Sequence, residues 1–338
     1  MNSFSVLPYG DDVLPGVVPT VSVVVPVYNE VEVLPAFFHA LSSVIATLEE
    51  EVFEVVFVND GSDDASWEVI KTLPVTHCYV ECINLSRNFG KEAAVSAGLD
   101  AARGDAVIIM DADLQDPPEL MPEMLGAWRD GHDVVNMKRR KREGESHFKV
   151  ISAKLYYRLL GWLSDGPVDK GVGDFRLLSR EVVDVIRALP ERNRYMKGVM
   201  SWPGYRQITL SFDRPARQAG ETKWSFVQLV GLGLSGITAF SVKPLKLAIW
   251  GGSLLSLGAF GFGVWILLKT LVIGETTAGF PSLILTQLLL GGVQLLAIGI
   301  VGEYVGRTFT EVKGRPLYLV MEKRSLTPTV WLERQYEG

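Results

Sequence analysis

Four short runs of β-branched and apolar residues alternate with segments of helical periodicity over residues 21–110, and this alternation restricts the possible folds. The runs cover residues 21–27, 53–58, 78–85 and 106–110. Short connections between alternating strands and helices are typical of a parallel, doubly wound α/β sheet, not of a β-sandwich or a helical bundle. Polar residues follow each run. Because the carboxyl ends of parallel strands meet at one edge of the sheet, we expect these polar residues to share a crevice.

The fourth run leads directly into an acidic segment, Asp-Ala-Asp-Leu-Gln-Asp-Pro-Pro-Glu at 111–119, in which the two prolines predict the start of a helix. In an extended backbone the carboxylates of Asp111 and Asp113 project from the same side. Carboxylates at this spacing suit a hard cation, Mg²⁺ or Mn²⁺, that holds a diphosphate. An isolated Asp-x-Asp is more often a turn with a solvated cap, but here the other polar strand exits are predicted to converge with it. The sequence therefore predicts a metal site formed by Asp111 and Asp113.

Charge and cysteine content argue against several classes of protein. The 338 residues carry a formal net charge of −6, which argues against a nucleic-acid-binding protein. Cys78 and Cys82 lack the spacing and partners of a zinc site, and they are predicted to be reduced residues of the core. Residues 1–20 are polar and interrupted by Pro and Gly. They predict a flexible tail without a cleavable signal peptide, so the N-terminal half is expected in the cytosol.

Four motifs follow one another in the first two thirds of the chain. They are Val-Pro-Val-Tyr-Asn-Glu at 25–30, Val-Asn-Asp-Gly-Ser at 58–62, Asn-Phe-Gly-Lys at 88–91 and the acidic segment at 111–119. Each is modestly specific alone, but their order and spacing make a strong pattern that resembles the family 2 glycosyltransferases with the GT-A fold, over roughly residues 20–225. Within that family the chain is similar to the polyprenyl-phosphate sugar transferases, which include dolichyl-phosphate mannose synthases and bacterial bactoprenol glucosyltransferases.

The resemblance implies a GT-A domain with a mostly parallel sheet over residues 21–223 and a nucleotide-sugar site at its strand exits. Six residues are implied to bind the nucleotide sugar: Pro26, Tyr28, Glu30, Asp60, Asp111 and Asp113. The first four are placed around the base and the ribose. The last two bind the sugar nucleotide through the metal.

The catalytic candidates are Asp174, Asp113 and Arg176. The segment 173–180 is predicted to be a turn, freed by its glycine, that enters a strand. It resembles the family motif that places an acid and an arginine beside the anomeric carbon of the sugar. Asp174 is expected to orient the acceptor or to help the metal, and the alternative is a simple turn or cap acid.

Two basic segments are predicted to bind the phosphate of the acceptor. Arg139 and Arg140 belong to the cluster 138–142, which follows a predicted strand at 133–137. A solvated loop is the alternative, but arginine binds phosphate in a bidentate fork, and a nearby anionic lipid surface favours binding. Residues 217–224 resemble a family Arg-x-x-Gly-x-Ser-Lys segment, and they imply a phosphate clamp made by Arg217 and Lys223. An amphipathic helix is predicted between the two segments, at 147–163.

Two uncharged stretches, 22 residues at 247–268 and 27 residues at 276–302, are each long enough to cross about 30 Å of hydrocarbon. Lysines precede the first stretch and basic residues follow the second, so a transmembrane hairpin with both termini in the cytosol is expected. The uncharged segment 224–242 is interrupted by glycines and keeps polar residues on one face, which favours helices lying in the membrane interface. Its Gly-x-Gly-x-x-Gly match has no preceding strand, so it is not read as a nucleotide fingerprint.

These boundaries divide the chain into six parts: a tail at 1–20, the GT-A domain at 21–223, interfacial helices at 224–244, transmembrane helices at 245–270 and 280–306, and a cytosolic segment at 307–338. The protein is expected in the cell inner membrane as a multi-pass protein. Glycines in the predicted spans also suit close helix packing, which is compatible with a homo-oligomer such as a tetramer, and helix contacts within one monomer are the alternative.

The expected function is inverting transfer of a hexose, favoured to come from UDP-glucose, to undecaprenyl phosphate or a related polyprenyl phosphate at the cytosolic membrane face. A lipid acceptor explains why a transferase would carry a membrane hairpin. Two alternatives stay open: the same fold with GDP-mannose or an amino-pentose donor, and a non-catalytic membrane subunit that binds nucleotide or translocates lipid. A processive polysaccharide synthase is disfavoured, because its Gln-x-x-Arg-Trp motif and additional spans are missing from the sequence.

Overall fold

The structure, a computed structural model, describes residues 19–140, 172–192, 194, 196–200, 202–213, 243–273 and 279–328. Its centre is an eight-stranded sheet with the strand order β7-β5-β6-β4-β1-β2-β3-β8. The strands are β1 (Val21–Val27), β2 (Phe53–Asn59), β3 (Tyr79–Leu85), β4 (Ala106–Ile109), β5 (Val134–Arg139), β6 (Val172–Ser179), β7 (Gln207–Phe212) and β8 (Val320–Leu326). The tail at 1–18 and the segments predicted at 147–163 and 224–242 lie outside the described residues.

The first four strands form the parallel centre of the sheet, as the alternating pattern predicted. Both neighbours of β1, which are β2 and β4, run parallel to it, and β3 runs parallel to β2. Their residues are almost all buried, as in parallel strands that are covered on both faces. The carboxyl ends of these strands therefore share one edge of the sheet, where a ligand crevice is expected.

Helices cover both faces of this sheet. The bounds are α1 (Leu34–Ile45), α2 (Ser66–Ile70), α3 (Lys91–Ala101), α4 (Met121–Arg129), α5 (Arg180–Ala188) and α6 (Met196–Val199), with a short 3₁₀ turn at Pro118–Leu120. Helices α1, α2 and α4 pack against one face, while α3, α5 and α6 pack against the other. The predicted helices after β1, after β3 and after the two prolines are confirmed.

Cys78 and Cys82 are free thiols buried on the α1 face of the sheet, which confirms the prediction that they belong to the core. Burial raises the pKa of both thiols to about 12. Such thiols stay protonated at neutral pH, so they are poor nucleophiles and poor metal ligands.

A buried ion pair joins three strands at the sheet edge opposite the expected crevice. Glu54, only 1% exposed, accepts a hydrogen bond from the hydroxyl of Ser22 at 2.6 Å and pairs with the Arg103 guanidinium at 2.7 Å. The same Ser22 oxygen accepts the N–H of Gly104 at 2.7 Å. These bonds connect the start of β1, the start of β2 and the turn before β4, so they fix the register of the parallel centre.

Replacing Glu54 by alanine is expected to destabilise the domain by about 3 kcal/mol, because it leaves the partners of a buried carboxylate without their acceptor. In detergent, the apparent Tm should fall by roughly 10 °C. The matched control is Glu68→Ala, which breaks an exposed pair with Lys71 and should shift the Tm by less than about 2 °C. Equal shifts in the two variants would show that the Glu54 cluster does not anchor the sheet.

Two long helices, α7 (Lys243–Ile273) and α8 (Phe280–Lys313), precede the last strand and contact each other. Among the described residues, one helical stretch, Leu289–Lys313, has the length and apolar composition of a membrane span, and Ala248–Phe262 is a shorter apolar stretch. Helix α8 extends past the predicted boundary at residue 306. Arg307 pairs with Glu303 one turn earlier, which continues the helix, and Gly314 ends it in the left-handed conformation at φ 64°.

The segment after α8 returns to the sheet, which was not predicted from the sequence. Strand β8 pairs antiparallel with β3 and begins at the edge where β3 ends. Side chains reinforce the pairing: Ser325 donates to Glu81 at 2.8 Å, and Trp67 Nε1 donates to Glu322 at 3.1 Å. Tyr318, just before β8, donates its hydroxyl to Asp100 on α3 at 2.7 Å. The residues predicted as a plain cytosolic segment thus complete the eight-stranded sheet.

Candidate active site

The exits of β1 and β2 form one hydrogen-bonded unit. The N–H of Asn29 donates to Ser62 Oγ at 3.0 Å, and Asn29 Oδ1 accepts the N–H of Asp63 at 2.9 Å. Asn29 takes a left-handed conformation at φ 55°, which asparagine tolerates better than most residues. The exit of the first strand is therefore held against that of the second.

Three of the residues predicted around the nucleotide base line this unit. Tyr28 is 44% exposed, and its hydroxyl lies 3.4 Å from Asp63 Oδ2. Pro26 and Glu30 are half-buried, and the N–H of Glu30 donates to Ser66 Oγ at 2.9 Å. The Tyr28 ring is thus presented at the strand exit where a base could stack, and its role in nucleotide binding stays a prediction.

Asp60 lies deeper than its predicted place around the base and the ribose suggests. It is 2% exposed, and its two oxygens accept the N–H groups of Phe89 and Gly90 at 2.7 and 2.9 Å. Burial raises the pKa of Asp60 against the opposing influence of these N–H groups and of Arg87. The structure therefore shows Asp60 fixing the loop between β3 and α3, while contact with the nucleotide stays a prediction.

Gly61 makes this loop contact sterically possible. Its φ is 62°, and a Cβ built on it would lie 2.3 Å from the carbonyl carbon of Arg87. Only glycine combines this backbone conformation with so close an approach to another backbone. The close approach of these two backbone segments therefore requires Gly61, the glycine of the Val-Asn-Asp-Gly-Ser motif.

The Asp-x-Asp segment is a turn and not the extended chain that the same-side argument assumed. Strand β4 ends at Ile109, the backbone turns through residues 112–114, and Leu114 has φ 57°. Asp113 Oδ1 accepts the N–H of Gln115 at 3.0 Å, within this turn. The prediction of an extended Asp-x-Asp is wrong, because the sheet pairing of β4 stops before the acids begin.

Asp116 interacts electrostatically with Asp111 and Asp113, the two predicted metal ligands. It is 1% exposed and accepts the N–H of Asp111 at 3.2 Å. Burial and the charges of Asp111 and Asp113 raise the pKa of Asp116 to about 6, although Arg139 opposes the shift. No role for Asp116 was predicted from the sequence. The carboxylates of the acidic segment thus form one negatively charged centre.

Lys91 places its ammonium in this acidic centre. It is the first residue of α3, and its Nζ lies 2.6 and 2.7 Å from the two oxygens of Asp111 and 2.8 Å from Asp174. Burial alone would lower the pKa of Lys91, but the two carboxylates hold it above its ordinary value. In the sequence, Lys91 was noted only as the last residue of the Asn-Phe-Gly-Lys motif, and no role was predicted for it. The available signal was a cation in the first helical turn, where the helix dipole disfavours one.

Asp174 and Arg176 lie on β6, directly beside β4. Gly173 and Asp174 already belong to the strand, so the predicted turn before it is wrong. Arg176 pairs in register with Ile109, is 2% exposed, and donates to the Gly173 carbonyl at 2.9 Å. The structure brings Asp174 into contact with Lys91 at the acidic centre, and Arg176 is buried on the same strand. The catalytic roles of both stay predictions.

The arginines predicted to bind the acceptor phosphate separate in the structure. Arg139 Nη2 lies 3.5 Å from the buried Asp116, at the acidic centre. Arg140 is exposed and pairs with Asp213 at 3.2 Å. Arg217 and Lys223 lie outside the described residues. Arg139 and Arg140 are the described arginines that were predicted to bind the acceptor phosphate, and of these two Arg139 lies beside the predicted diphosphate site.

The donor set fits a divalent cation that is shared with a substrate. Within the described ranges, no group of three or more His, Cys, Asp or Glu forms a complete metal site. Mg²⁺ is usually held by one or two carboxylates plus substrate phosphates, so Asp111 and Asp113 suffice as the protein's share. The ammonium of Lys91 against Asp111 shows that this position attracts a cation.

Comparison with known proteins identifies the chain's family. The model for glycosyl transferase family 2 matches residues 22–187. A prophage bactoprenol glucosyl transferase homolog of Escherichia coli K12 is 43% identical over 300 residues, which cover 89% of this chain and 98% of that protein. The SfII prophage-derived bactoprenol glucosyl transferase of Shigella flexneri is 43% identical over 308 residues, which cover 91% and 99%.

Two further proteins are similar to this chain but indicate less about its function. An uncharacterized glycosyltransferase of Synechocystis is 45% identical over 301 residues, covering 89% of this chain and 94% of that one. A crystal structure of glucosyl-3-phosphoglycerate synthase from Mycobacterium tuberculosis with Mn²⁺ and UDP-glucose has 19% identity and a TM-score of 0.40, covering 65% and 77%. The second likeness is too weak to assign a ligand to this chain.

The relatives match the apolar C-terminal part as well as the sheet, since they cover about nine tenths of this chain. Identity above 40% over such a length establishes common descent, and the parallel sheet with acids at its carboxyl edge agrees with it. This chain is a glycosyltransferase that belongs to family 2 and has the GT-A type of α/β fold.

Proposed function

We propose that the protein transfers glucose from UDP-glucose to a polyprenyl phosphate, with inversion at the anomeric carbon, at the cytosolic face of the cell inner membrane. Relatives named bactoprenol glucosyl transferase, matched over nearly their whole length, support the acceptor and the sugar. The structural observation that carries the proposal is that one sheet holds both the acidic centre and the strand that follows the long apolar helices.

Different residues at the strand exits bind different parts of the donor in this reaction. Tyr28 and the turn around Asn29 would hold the base and the ribose, and Asp111 and Asp113 would hold a divalent cation. When bound, the cation neutralises the charge that develops on the departing UDP. Arg139, beside Asp116, lies where it can donate to phosphate oxygens.

The acceptor needs little activation by the protein. A phosphate monoester has a second pKa of about 6, so its oxygen is largely ionised and nucleophilic at neutral pH. Asp174 therefore has no need to take a proton, and its pairing with Lys91 at 2.8 Å agrees with a positioning role. Direct attack by this phosphate oxygen on the anomeric carbon would invert the configuration.

The position of β8 supports a membrane hairpin made by α7 and α8. Since β7 and β8 lie in the same sheet, the chain between them must cross a membrane an even number of times or not at all. Apolar side chains such as Trp250, Leu254 and Leu295 are exposed on these helices, as lipid-facing residues would be. Two crossings satisfy the count and would leave the segments before and after the hairpin on the same side of the membrane, which we propose is the cytosol. The homo-oligomer stays a prediction.

The end of α8 also touches the catalytic domain. The N–H of Arg192 donates to both oxygens of Glu311 at 3.1 Å, and its guanidinium donates to the carbonyl oxygen of Arg315. These bonds hold the last helical turn close to the domain. A polyprenyl tail in the bilayer and its phosphate in the crevice would then belong to one continuous binding path.

The proposal is tested by incubating the purified full-length protein in detergent with undecaprenyl phosphate, Mg²⁺ and one labelled donor at a time. UDP-glucose, GDP-mannose and a UDP-amino-pentose form the panel, and label is counted in the organic phase. We expect label to move from UDP-glucose alone. Movement from another donor alone would change the sugar, whereas retained UDP binding without any transfer would favour a non-catalytic subunit.

Chelation is expected to stop this transfer. Removing divalent cations with EDTA should lower label transfer at least about a hundredfold, because one main stabiliser of the departing UDP is lost. Excess Mn²⁺ or Mg²⁺ should restore it, and the ratio of the two rates gives the preferred metal. The control is EDTA already saturated with the same metal, which should leave transfer unchanged. Full activity in EDTA would contradict a metal-dependent mechanism.

A further inference from the structure

Lys91 occupies the oxygens that the predicted metal site would use. Its ammonium touches both oxygens of Asp111 and one oxygen of Asp174, and these acids come from the exit of β4 and from β6. An ammonium and a divalent cation repel each other strongly at such short range, and Asp111 cannot give both oxygens to each at the same time. Lys91 and a metal ion must therefore compete for Asp111.

The backbone around Lys91 is fixed on both sides. The N–H groups just before it, on Phe89 and Gly90, donate to the buried Asp60. The carboxylate just after it, on Glu92, accepts the N–H of Met196 at 2.9 Å. Any change at this position is therefore a movement of the side chain alone.

The Lys91 side chain has the room and the flexibility for such a movement. It is 42% exposed, and its ammonium sits at the end of a flexible four-carbon stem. Asp174 remains within its reach when the contact with Asp111 is given up. A swing about the flexible stem is thus enough to free Asp111.

We propose that Lys91 is a positioning residue that joins Asp111 to Asp174 in the unloaded enzyme and releases Asp111 when a divalent cation enters with the nucleotide donor. This inference rests on the proposed function for the identity of the donor. After release, the ammonium keeps Asp174 as its partner and lies next to the bound diphosphate. Lys91 thereby couples occupancy of the metal site to the position of Asp174.

The test measures Mn²⁺ affinity of the full-length protein in detergent by electron paramagnetic resonance, without lipid and with UDP at one fixed concentration, after subtraction of the signal change caused by UDP alone. Replacing Lys91 by methionine removes the competing cation, so we expect the Kd for Mn²⁺ to fall about tenfold. Lys91→Gln provides a second neutral variant of different shape, and thermal unfolding selects whichever neutral variant remains folded. Lys91→Arg keeps the charge and should bind Mn²⁺ within about threefold of the parent.

The matched control is Arg87→Met, which removes a positive charge from the same loop. Arg87 stacks on Phe89 with 4.0 Å to the ring centroid and donates to the Asn88 carbonyl, so it is engaged away from Asp111. We expect less than about a twofold change in Kd. An equal tightening in Arg87→Met would overturn the proposal, since it would show a general effect of charge.

The remaining outcomes are also decisive. Unchanged or weaker Mn²⁺ binding in the neutral Lys91 variants would overturn the proposal, and so would the absence of binding in both parent and variants. Tightening in the Lys91 variants, combined with no sugar transfer from any donor, would remove the proposed reaction and support the role of Lys91 at the cation site.

Discussion

Replacing Asp111 by asparagine is expected to lower sugar transfer by roughly 10²- to 10³-fold without unfolding the protein. The asparagine would keep the shape of the side chain and the backbone N–H that Asp116 accepts at 3.2 Å. It would lose the negative charge that both Lys91 and the predicted metal use. The loss should therefore appear in turnover at saturating UDP-glucose and only weakly in the Tm.

The control for this variant is Asp130→Asn, which removes one negative charge from an exposed acid at the end of α4. Its transfer rate should stay within about twofold of the parent, because an exposed charge far from the crevice is screened by solvent. An Asp111→Asn variant that keeps more than about half of the parent's rate would exclude Asp111 from the mechanism.

Ending the chain after Leu319 is expected to abolish stable folding of the catalytic domain, even though the predicted catalytic residues all remain. The truncation removes β8 and with it the antiparallel ladder on β3 and the hydrogen bond that Trp67 donates to Glu322. Without β8, β3 becomes an edge strand that offers its free N–H and C=O groups to other chains. We expect about tenfold less monodisperse protein by size-exclusion chromatography in detergent.

A second truncation separates the effect of β8 from that of the terminus itself. Ending the chain after Pro328 removes only residues 329–338 and keeps the whole ladder. Its yield and Tm should match those of the full-length protein. Normal yield from the chain that ends after Leu319 would show that β8 is dispensable and would weaken the even-crossing argument for the membrane hairpin.

The central strands could be predicted because their runs of apolar residues directly indicate burial on both faces of a sheet. Val21–Val27 and Phe53–Asn59 are mostly apolar and are buried on both faces, as is typical of covered parallel strands. Strand β8 could not be predicted in the same way. Its middle residues Glu322, Lys323 and Arg324 are exposed and charged, as edge strands often are, so neither alternation nor an apolar run marks it.

The site could be predicted in its composition but only partly in its geometry. Asp111 and Asp174 were selected from motifs, and the structure brings both to Lys91. The depth of Asp60 and the pairing of Arg139 with Asp116 depend on contacts between distant segments, which no local pattern encodes. The end of α8 was misplaced because Arg307 was read as the end of the helix, whereas its pair with Glu303 stabilises the next turn.

The closure of the sheet by β8 has a consequence for how the protein is made. Glu81 leaves the ribosome 244 residues before Ser325, its partner across the ladder. At a synthesis rate of roughly 5 to 20 residues per second, the outer edge of β3 stays unpaired for about 10 to 50 seconds before that partner is made. During this interval the nascent domain presents an open edge, and both long helices must emerge before it closes. The edge of β3 therefore stays accessible to chaperones and proteases until both long helices and β8 have been synthesised.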